Sequence, residues 1–536
     1  MRKLTLAMLS LLLISGLLLS GCADNTAAPE SSISDTTENT SASSSTPSTV
    51  TPPADTNHTA YTVKESYMPA SVSAKMKDIF ENREATFITY SYGSCPYVIR
   101  DVYTISNCKL LSITIPVSKT LAVNSRGNFT FTITVGQNGW HQLQNSARAT
   151  YTVQINAEQY GLEANTTNVY KWLKVDLSQY GIQLSATETV GFGNPSDTLI
   201  PAYIGSGDAA NAAQQLIENE FPQIRGFVSK MGKGETVGTS SSTLIYDFEW
   251  ERTYESEEAY RAVLAAEEEY QEMLAALKEQ YQGKKLSILG DSISTFEGFS
   301  NNTAYNATIG SNAVYYFKTS GGLTAKGLYD HRDSYWGRLL EDLDMELCVN
   351  NAWSGSRVLD TANMPSRATQ LHNTEEENPD VIIFYMGIND LHNNSQIGDL
   401  YNLLESNVDT RSDREKIAEW FANVTVSGMS SFEQAYALSL DAMTKKYADA
   451  EIWCMTLCVN KDSRFTEAKM NIYNRCITAL AEYFGANVIN QQEGYITLDN
   501  CVAYSCDNKG LHPNPTGHAL IEKHIVETFY QKLKEN

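Results

Sequence analysis

The chain is poor in positive charge: 40 Lys and Arg stand against 63 Asp and Glu, for a formal net charge of −23. That balance argues against nucleic acid or an anionic membrane surface as a partner, because both select basic patches, and it disfavours strongly anionic substrates. Histidine is scarce, with 8 scattered residues, and no two cysteines are spaced C-x-x-C, so a zinc site is not expected. Past the first 22 residues no apolar run is long enough to span a bilayer. No segment recurs as a repeat unit. What remains is ordinary for folded protein, with 42% hydrophobic and 19% charged residues, and 536 residues leave room for two or more domains at ~100–200 residues each.

Arg2 and Lys3 precede an apolar run from Leu4 that ends in Leu19-Ser20-Gly21-Cys22. Residues 1–22 resemble a bacterial lipoprotein signal peptide, whose processing leaves Cys22 as the lipidated first residue. An ordinary secretory signal with a chance cysteine is the other reading. Either one exports the chain, and the first anchors it to the outer face of a bacterial membrane, touched only through the lipid. Residues 23–60, rich in Ser, Thr, Pro and Ala, have no apolar periodicity and read as a disordered tether. Export permits disulfides, and Cys95–Cys108 and Cys501–Cys506 are the locally plausible pairs. Cys454 and Cys458 lie on an apolar, strand-like run and read as buried packing residues.

From 61 to 254 the pattern has period two. Phe129–Val135 and Ala149–Ile155 alternate almost strictly, and Leu110–Ile115, Tyr170–Val175 and Thr243–Trp250 are further strand candidates. Short strands without intervening helices predict an antiparallel β-sandwich. Trp140, Trp172 and Trp250 are candidates for a sugar-stacking face, with core or edge packing as the plainer alternative. Residues 255–283 carry apolar positions at three- and four-residue intervals, from Tyr260 to Tyr281, and predict an amphipathic connector helix that stops at Gly283.

From 284 to 536 the texture alternates strand and helix. Strand candidates are Leu286–Leu289, Met345–Val349, Val381–Met386, Glu451–Leu457 and Asn487–Asn490; helical stretches include Ser334–Asp342, Phe432–Tyr447, Phe465–Phe484 and the segment after Pro515. Near-continuous apolar strands between helices predict an α/β domain with a five-stranded parallel, flavodoxin-like sheet covered on both faces. Four motifs sit at strand ends or helix starts: Gly290-Asp291-Ser292, the Ser354-Gly355-Ser356-Arg357 turn, Gly387-Ile388-Asn389-Asp390, and His512-Pro513-Asn514 before the last helix. All four therefore face one crevice at the carboxyl edge of the sheet.

Together these motifs, with Gly290-Asp-Ser-Ile-Ser-Thr-Phe-Glu-Gly298 and the downstream Trp336, resemble the SGNH (GDSL-type) hydrolases, a family of esterases, over residues 284–536. The resemblance implies Ser292 as nucleophile and His512 as general base. It implies an oxyanion hole from the N–H groups of Ser292 and Gly355 and the side-chain amide of Asn389, with no metal and no cofactor. The chemistry asks for the same types: a serine hydroxyl needs a base near neutrality, and the tetrahedral oxyanion needs fixed donors. One position departs from the family pattern. The acid is usual three residues before the histidine, where this chain has Lys509; the nearest carboxylate is Asp507, five residues before. Either a lengthened loop delivers Asp507 or a Ser–His dyad operates, and Asp507 is the expectation. Asp291 and Asp390 read as structural bonds to turn amides, His518 as a seat for the last helix, and Arg357 as exposed, with a reach into the crevice to touch substrate as the alternative. The segment from Thr295 to Ser334 is expected to roof the site and set specificity.

The expected function is an exported serine esterase removing acyl groups, O-acetyl by preference, from carbohydrate. A broad-specificity arylesterase, lipase or thioesterase uses the same residues. A surface glycan-binding lipoprotein with a hydrolase domain that has lost activity is the rival of another class, resting on Lys509.

Overall fold

The computed structural model describes residues 60–82, 86–88, 96–98, 107–118, 128–137, 147–156, 158, 170–185, 188–193, 203–206, 212–213, 215–216, 243–244, 247–299, 314–316, 328, 331–360, 364–374 and 377–535. The signal-like segment with Cys22, residues 23–59 of the tether, Cys95 and Trp140 lie outside these residues.

Strands β1 (Tyr61–Ser66), β2 (Thr86–Ile88), β3 (Pro96–Val98), β4 (Cys108–Ser118), β5 (Asn128–Gln137), β6 (Ala149–Asn156), β7 (Tyr170–Asp176), β8 (Gln183–Leu184), β9 (Glu188–Gly193), β10 (Tyr203–Ser206), β11 (Thr243–Leu244) and β12 (Asp247–Tyr254) build the N-terminal region. One antiparallel sheet runs β1-β12-β4-β7 with β8 beside β4, a second runs β3-β9-β5-β6, and a small third runs β11-β10-β2. The period-two pattern does its expected work. Ile113, Ile115, Leu173, Val175 and Phe248 of the first sheet and Phe131, Ile133, Val153 and Ile155 of the second share one buried cluster.

A helix breaks the all-strand expectation. In α1 (Ala70–Asn82), Val72, Met76, Ile79 and Phe80 are buried at helical spacing. Phe80 stacks on Trp172 with centroids 5.6 Å apart, and Trp172 Nε1 donates to Ser73 Oγ at 3.1 Å. Trp250 is fully buried and its Nε1 donates to Glu65. Trp172 and Trp250 are therefore packing residues, and neither offers a face to a sugar.

The connector is α2 (Glu257–Tyr281). Ser256 caps it by accepting from the Ala259 N–H at 3.1 Å, with Glu257 and Glu258 in the first turn. Tyr260 touches Tyr61 and Tyr254 of the N-terminal sheet, whereas Tyr270, Leu274, Leu277 and Tyr281 belong to the C-terminal core. The helix thus joins both regions through its two ends.

The C-terminal region has β13 (Lys285–Gly290), α3 (Tyr335–Asp342), β14 (Glu346–Ala352), β15 (Val381–Tyr385), α4 (Ile388–His392), α5 (Leu400–Leu404), α6 (Asp413–Phe421), α7 (Phe432–Lys446), β16 (Glu451–Met455), α8 (Glu467–Phe484), β17 (Asn487–Ile489) and α9 (Pro515–Glu535). All strands pair in parallel, in the order β14-β13-β15-β16-β17. The chain steps one way from β13 to β14 and the other way from β15 onward. Right-handed crossovers then place α3 on one face and α7 and α8 on the other. Every residue of β15 is buried, as a strand covered on both faces requires. The short helices α4, α5 and α6 carry too little periodicity to stand out in the sequence. Among the described residues no helix is long and apolar enough to cross a membrane.

Candidate active site

Ser292 begins one turn of 3-10 helix at the end of β13. Asp291 caps that turn by accepting from the Ile293 N–H at 3.1 Å, and the Ser294 carbonyl is held by Trp336 Nε1 at 3.0 Å and Asn350 Nδ2 at 2.9 Å. Gly290 is glycine because of crowding rather than a special φ: a Cβ there would lie 2.6 Å from the Cβ and Oγ of Ser294.

His512 comes from the other end of the chain. The backbone pairs Ser505 with Pro513 and the Cys506 N–H with the His512 carbonyl at 2.9 Å, closing residues 506–512 into a hairpin-like loop. Asn514 then caps α9, accepting from the Gly517 N–H at 3.0 Å, with Pro515 at the first helical position. The capped helix leaves His512 at the crevice, and its Nε2 lies 3.0 Å from Ser292 Oγ.

Asp507 lies inside that loop with its Oδ2 2.7 Å from His512 Nδ1. The loop wraps around its carboxylate: the N–H groups of Lys509 and Leu511 donate to Oδ1 at 2.9 and 3.1 Å, and that of His512 to Oδ2 at 3.2 Å. Gly510 makes the wrap possible, with φ +70 and no room for a side chain beside Cys501. Burial pushes the Asp507 carboxyl up, but the hydrogen bond and charge of His512 and the backbone donors outweigh it and hold it at about 2. The carboxylate is therefore ionised near neutrality, which places the imidazole proton on Nδ1 and leaves Nε2 to accept from Ser292. Lys509 turns away to Asp462, Nζ to Oδ2 2.7 Å, and its carbonyl accepts from the Lys461 N–H at 2.6 Å.

Gly355 adopts φ +77 in the turn after β14, with open space where a Cβ would stand. Among the described residues neither its N–H nor that of Ser292 donates to a protein group. Asn389, in the first turn of α4, donates through Nδ2 to the Ser356 carbonyl at 3.0 Å and keeps a second amide proton. Asp390 accepts from the N–H groups of Val358 and Leu359 at 2.7 and 2.9 Å, so it fixes the turn that carries Gly355. Burial raises Asp291 to about 7 and Asp390 to about 6. His518 is fully buried, accepts the Tyr335 N–H at its Nδ1 (3.2 Å), and is held down to about 3 by burial. Arg357 is exposed.

The locally plausible Cys501–Cys506 disulfide is not formed. Cys501 Sγ turns to the Leu498 carbonyl at 3.5 Å beneath Gly510, whereas Cys506 Sγ turns to the His512 carbonyl at 3.2 Å. The hairpin bonds close the loop instead. Cys108, one half of the other suggested pair, is buried, with Cys95 outside the described residues, and Cys454 and Cys458 are buried packing residues as expected.

Arg367 and Tyr315 at the site carry no clear sequence signal, and Thr295 lies within the Gly290–Gly298 motif without an assigned role. Arg367 is buried with Nη2 donating to the carbonyls of Gly290 (3.1 Å) and Asn351 (2.6 Å), its guanidinium 4.0 Å over the Trp353 ring. Tyr315 stacks on His512, and Thr295 bonds to both Ser292 and Tyr315. Of the segment expected to roof the site, only 295–299, 314–316, 328 and 331–334 fall among the described residues. No group of three or more His, Cys, Asp or Glu side chains among the described residues could hold a metal ion.

Residues 284–527 match the family model described as GDSL-like Lipase/Acylhydrolase. Solved structures assigned as GDSL-like lipases from Bacteroides ovatus and Bacteroides uniformis are 22% and 20% identical to this chain. Each match covers 47% of this chain, with 99% and 97% of theirs and TM-scores of 0.33 and 0.32. A psychrotrophic esterase from Pseudoalteromonas is 17% identical over 47% of this chain and 99% of its own, with a TM-score of 0.25. No curated protein matches.

Proposed function

We propose that the chain, whose residues 284–527 match the GDSL-like lipase/acylhydrolase family model, is a serine ester hydrolase working through Ser292, His512 and Asp507. The observation that carries this is the continuous chain of contacts from Ser292 Oγ to His512 Nε2 (3.0 Å) and from His512 Nδ1 to Asp507 Oδ2 (2.7 Å). As Ser292 Oγ bonds to the substrate carbonyl carbon, His512 Nε2 takes its proton, and ionised Asp507 stabilises the imidazolium. The N–H groups of Ser292 and Gly355 and the second Asn389 amide proton receive the oxyanion, each donor typically supplying ~3 kcal/mol. The carbon–oxygen bond to the leaving alcohol then breaks, and His512 returns the proton to that oxygen. Water repeats the sequence on acyl-Ser292 and frees the acid.

The finer reading is an exported enzyme, anchored through lipidated Cys22 outside a bacterial membrane, that removes O-acetyl groups from carbohydrate. It is supported by the basic–apolar–cysteine pattern of residues 1–22 and by the family resemblance. Trp172 and Trp250 are buried and cannot stack on a sugar, while Trp140, the third residue of the suggested aromatic face, lies outside the described residues. The test is a chain-length series of nitrophenyl esters run beside acetylated xylan. Acetate release from the xylan, with rates falling as the acyl chain lengthens, is the expected result. Preference for long acyl chains without acetate release would replace the carbohydrate reading with a lipase or thioesterase. Glycan binding that survives Ser292→Ala, with no ester turned over by the wild type, would replace the enzyme with a binding protein.

A further inference from the structure

The His512 ring is held at two points in its own plane, by Asp507 at Nδ1 and Ser292 at Nε2. Neither bond stops the ring from rocking out of that plane. The Tyr315 ring lies flat against its face, with centroids 3.5 Å apart and an interplanar angle of 9°. Tyr315 is also fixed to the nucleophile's turn. Its N–H donates to Thr295 Oγ1 at 2.8 Å, and the same hydroxyl donates to the Ser292 carbonyl at 2.9 Å. Thr295 is fully buried, so this relay is shielded from water. The next residue repeats the link in the other direction: the Glu297 N–H donates to the Tyr316 carbonyl at 3.0 Å, and Tyr316 Oη donates to the Pro513 carbonyl, beside His512, at 2.8 Å. Two adjacent tyrosines thus join the turn of Ser292 to the loop of His512, and one of them covers the imidazole.

We propose that Tyr315 is a positioning residue for His512. Its ring blocks the out-of-plane motion that would separate Nε2 from Ser292 Oγ, and its π-face lies against the imidazolium that forms when the proton is transferred. The proposal rests on the reading of His512 as the general base. The phenol hydroxyl meets the Cys506 side chain, a contact apart from the proposal, for which the ring alone is sufficient.

The experiment compares the full-length wild type with Tyr315→Leu, Tyr315→Phe and Thr295→Val. It measures kcat and KM on nitrophenyl acetate, the thermal midpoint, and hydrogen–deuterium exchange at His512 Cε1 by mass spectrometry. Tyr315→Leu is expected to lower kcat about thirtyfold with KM little changed, the size of a cation–π interaction in a desolvated site, and to speed exchange at His512. Tyr315→Phe is expected to match the wild type in both. Thr295→Val, which cuts the relay but keeps the ring, gives a smaller loss of the same kind and serves if the leucine variant does not fold. Unchanged kcat and exchange in Tyr315→Leu would overturn the proposal. So would a rise in KM alone, which marks a wall of the substrate site, or a phenylalanine variant as impaired as the leucine one. If the wild type turns over no ester, the esterase reading fails by itself, while His512 exchange still decides whether Tyr315 holds the ring.

Discussion

Asp507 stands five residues before His512, yet its Oδ2 lies 2.7 Å from His512 Nδ1. The reach is made by folding the intervening residues around the carboxylate, whose oxygens accept the N–H groups of Lys509, Leu511 and His512. Asp507→Asn is expected to lower kcat on the order of 10⁴-fold, because the imidazole loses the partner that fixes its tautomer and stabilises its charge. Lys509→Asp in that background is expected to restore nothing. The side chain at 509 points to Asp462 rather than to His512. Kinetics of the single and double variants on nitrophenyl acetate check both statements, and rescue by Lys509→Asp would contradict them.

The loop depends on Gly510. An added Cβ would lie 2.5 Å from Cys501 Sγ and 3.0 Å from its backbone carbon, at a φ of +70. Gly510→Ala is expected to cost about 2–3 kcal/mol of stability from strain and overpacking, and to lower kcat by moving Asp507. Denaturant melts and the same ester assay measure the two effects.

Beneath the strand ends, Arg367 bonds the carbonyls of Gly290 and Asn351 and stacks on Trp353. Arg367→Met keeps much of the volume but removes a donor from each carbonyl, the Gly290 oxygen retaining the Trp353 N–H and the Ser356 hydroxyl, at an expected cost of about 1–3 kcal/mol. Arg367→Lys is not expected to rescue it, because an ammonium lacks the planar fork that spans the two carbonyls. Urea unfolding of the three proteins gives the comparison.

His518 makes stability depend on pH in a stated direction. Burial holds its folded pKa at about 3, below the ordinary ~6.5. Between those values the unfolded chain binds a proton that the folded chain does not, so this group's contribution is complete above about 6.5 and is lost as pH falls toward 3. His518→Gln is therefore expected to melt less steeply downward than the wild type between pH 6.5 and 4. Thermal midpoints across that range are the check, and parallel curves would contradict it.

Most of the C-terminal architecture was legible because parallel strands buried on both faces write themselves as short apolar runs. Leu286–Leu289 falls one residue short of the observed strand at each end, and Val381–Met386 runs one residue past it. The motifs around Ser292, Gly355, Asn389 and His512 were legible because each follows such a strand or opens a helix. What stayed hidden depends on groups distant in sequence. Tyr315 sits in a stretch without periodicity, and only the fold brings it to His512 from far along the chain. Arg367 reads as an ordinary charged residue until its carbonyl partners are seen. Helix α1 was missed although Val72, Met76, Ile79 and Phe80 carry helical spacing, because the surrounding alternation dominated the region. The Cys501–Cys506 pair shows the opposite error, in which spacing suggested a bond that the orientations of the two thiols do not make.

The most direct test of the account is covalent labelling of the full-length chain with diethyl 4-nitrophenyl phosphate, followed by intact-mass and peptide mapping. Attack by an activated serine displaces nitrophenol and leaves one diethylphosphoryl group on the nucleophile. The account predicts a single label per chain, mapped to Ser292, absent in Ser292→Ala and strongly slowed in His512→Ala. A label on another residue, or ester hydrolysis that persists undiminished in Ser292→Ala, would contradict it.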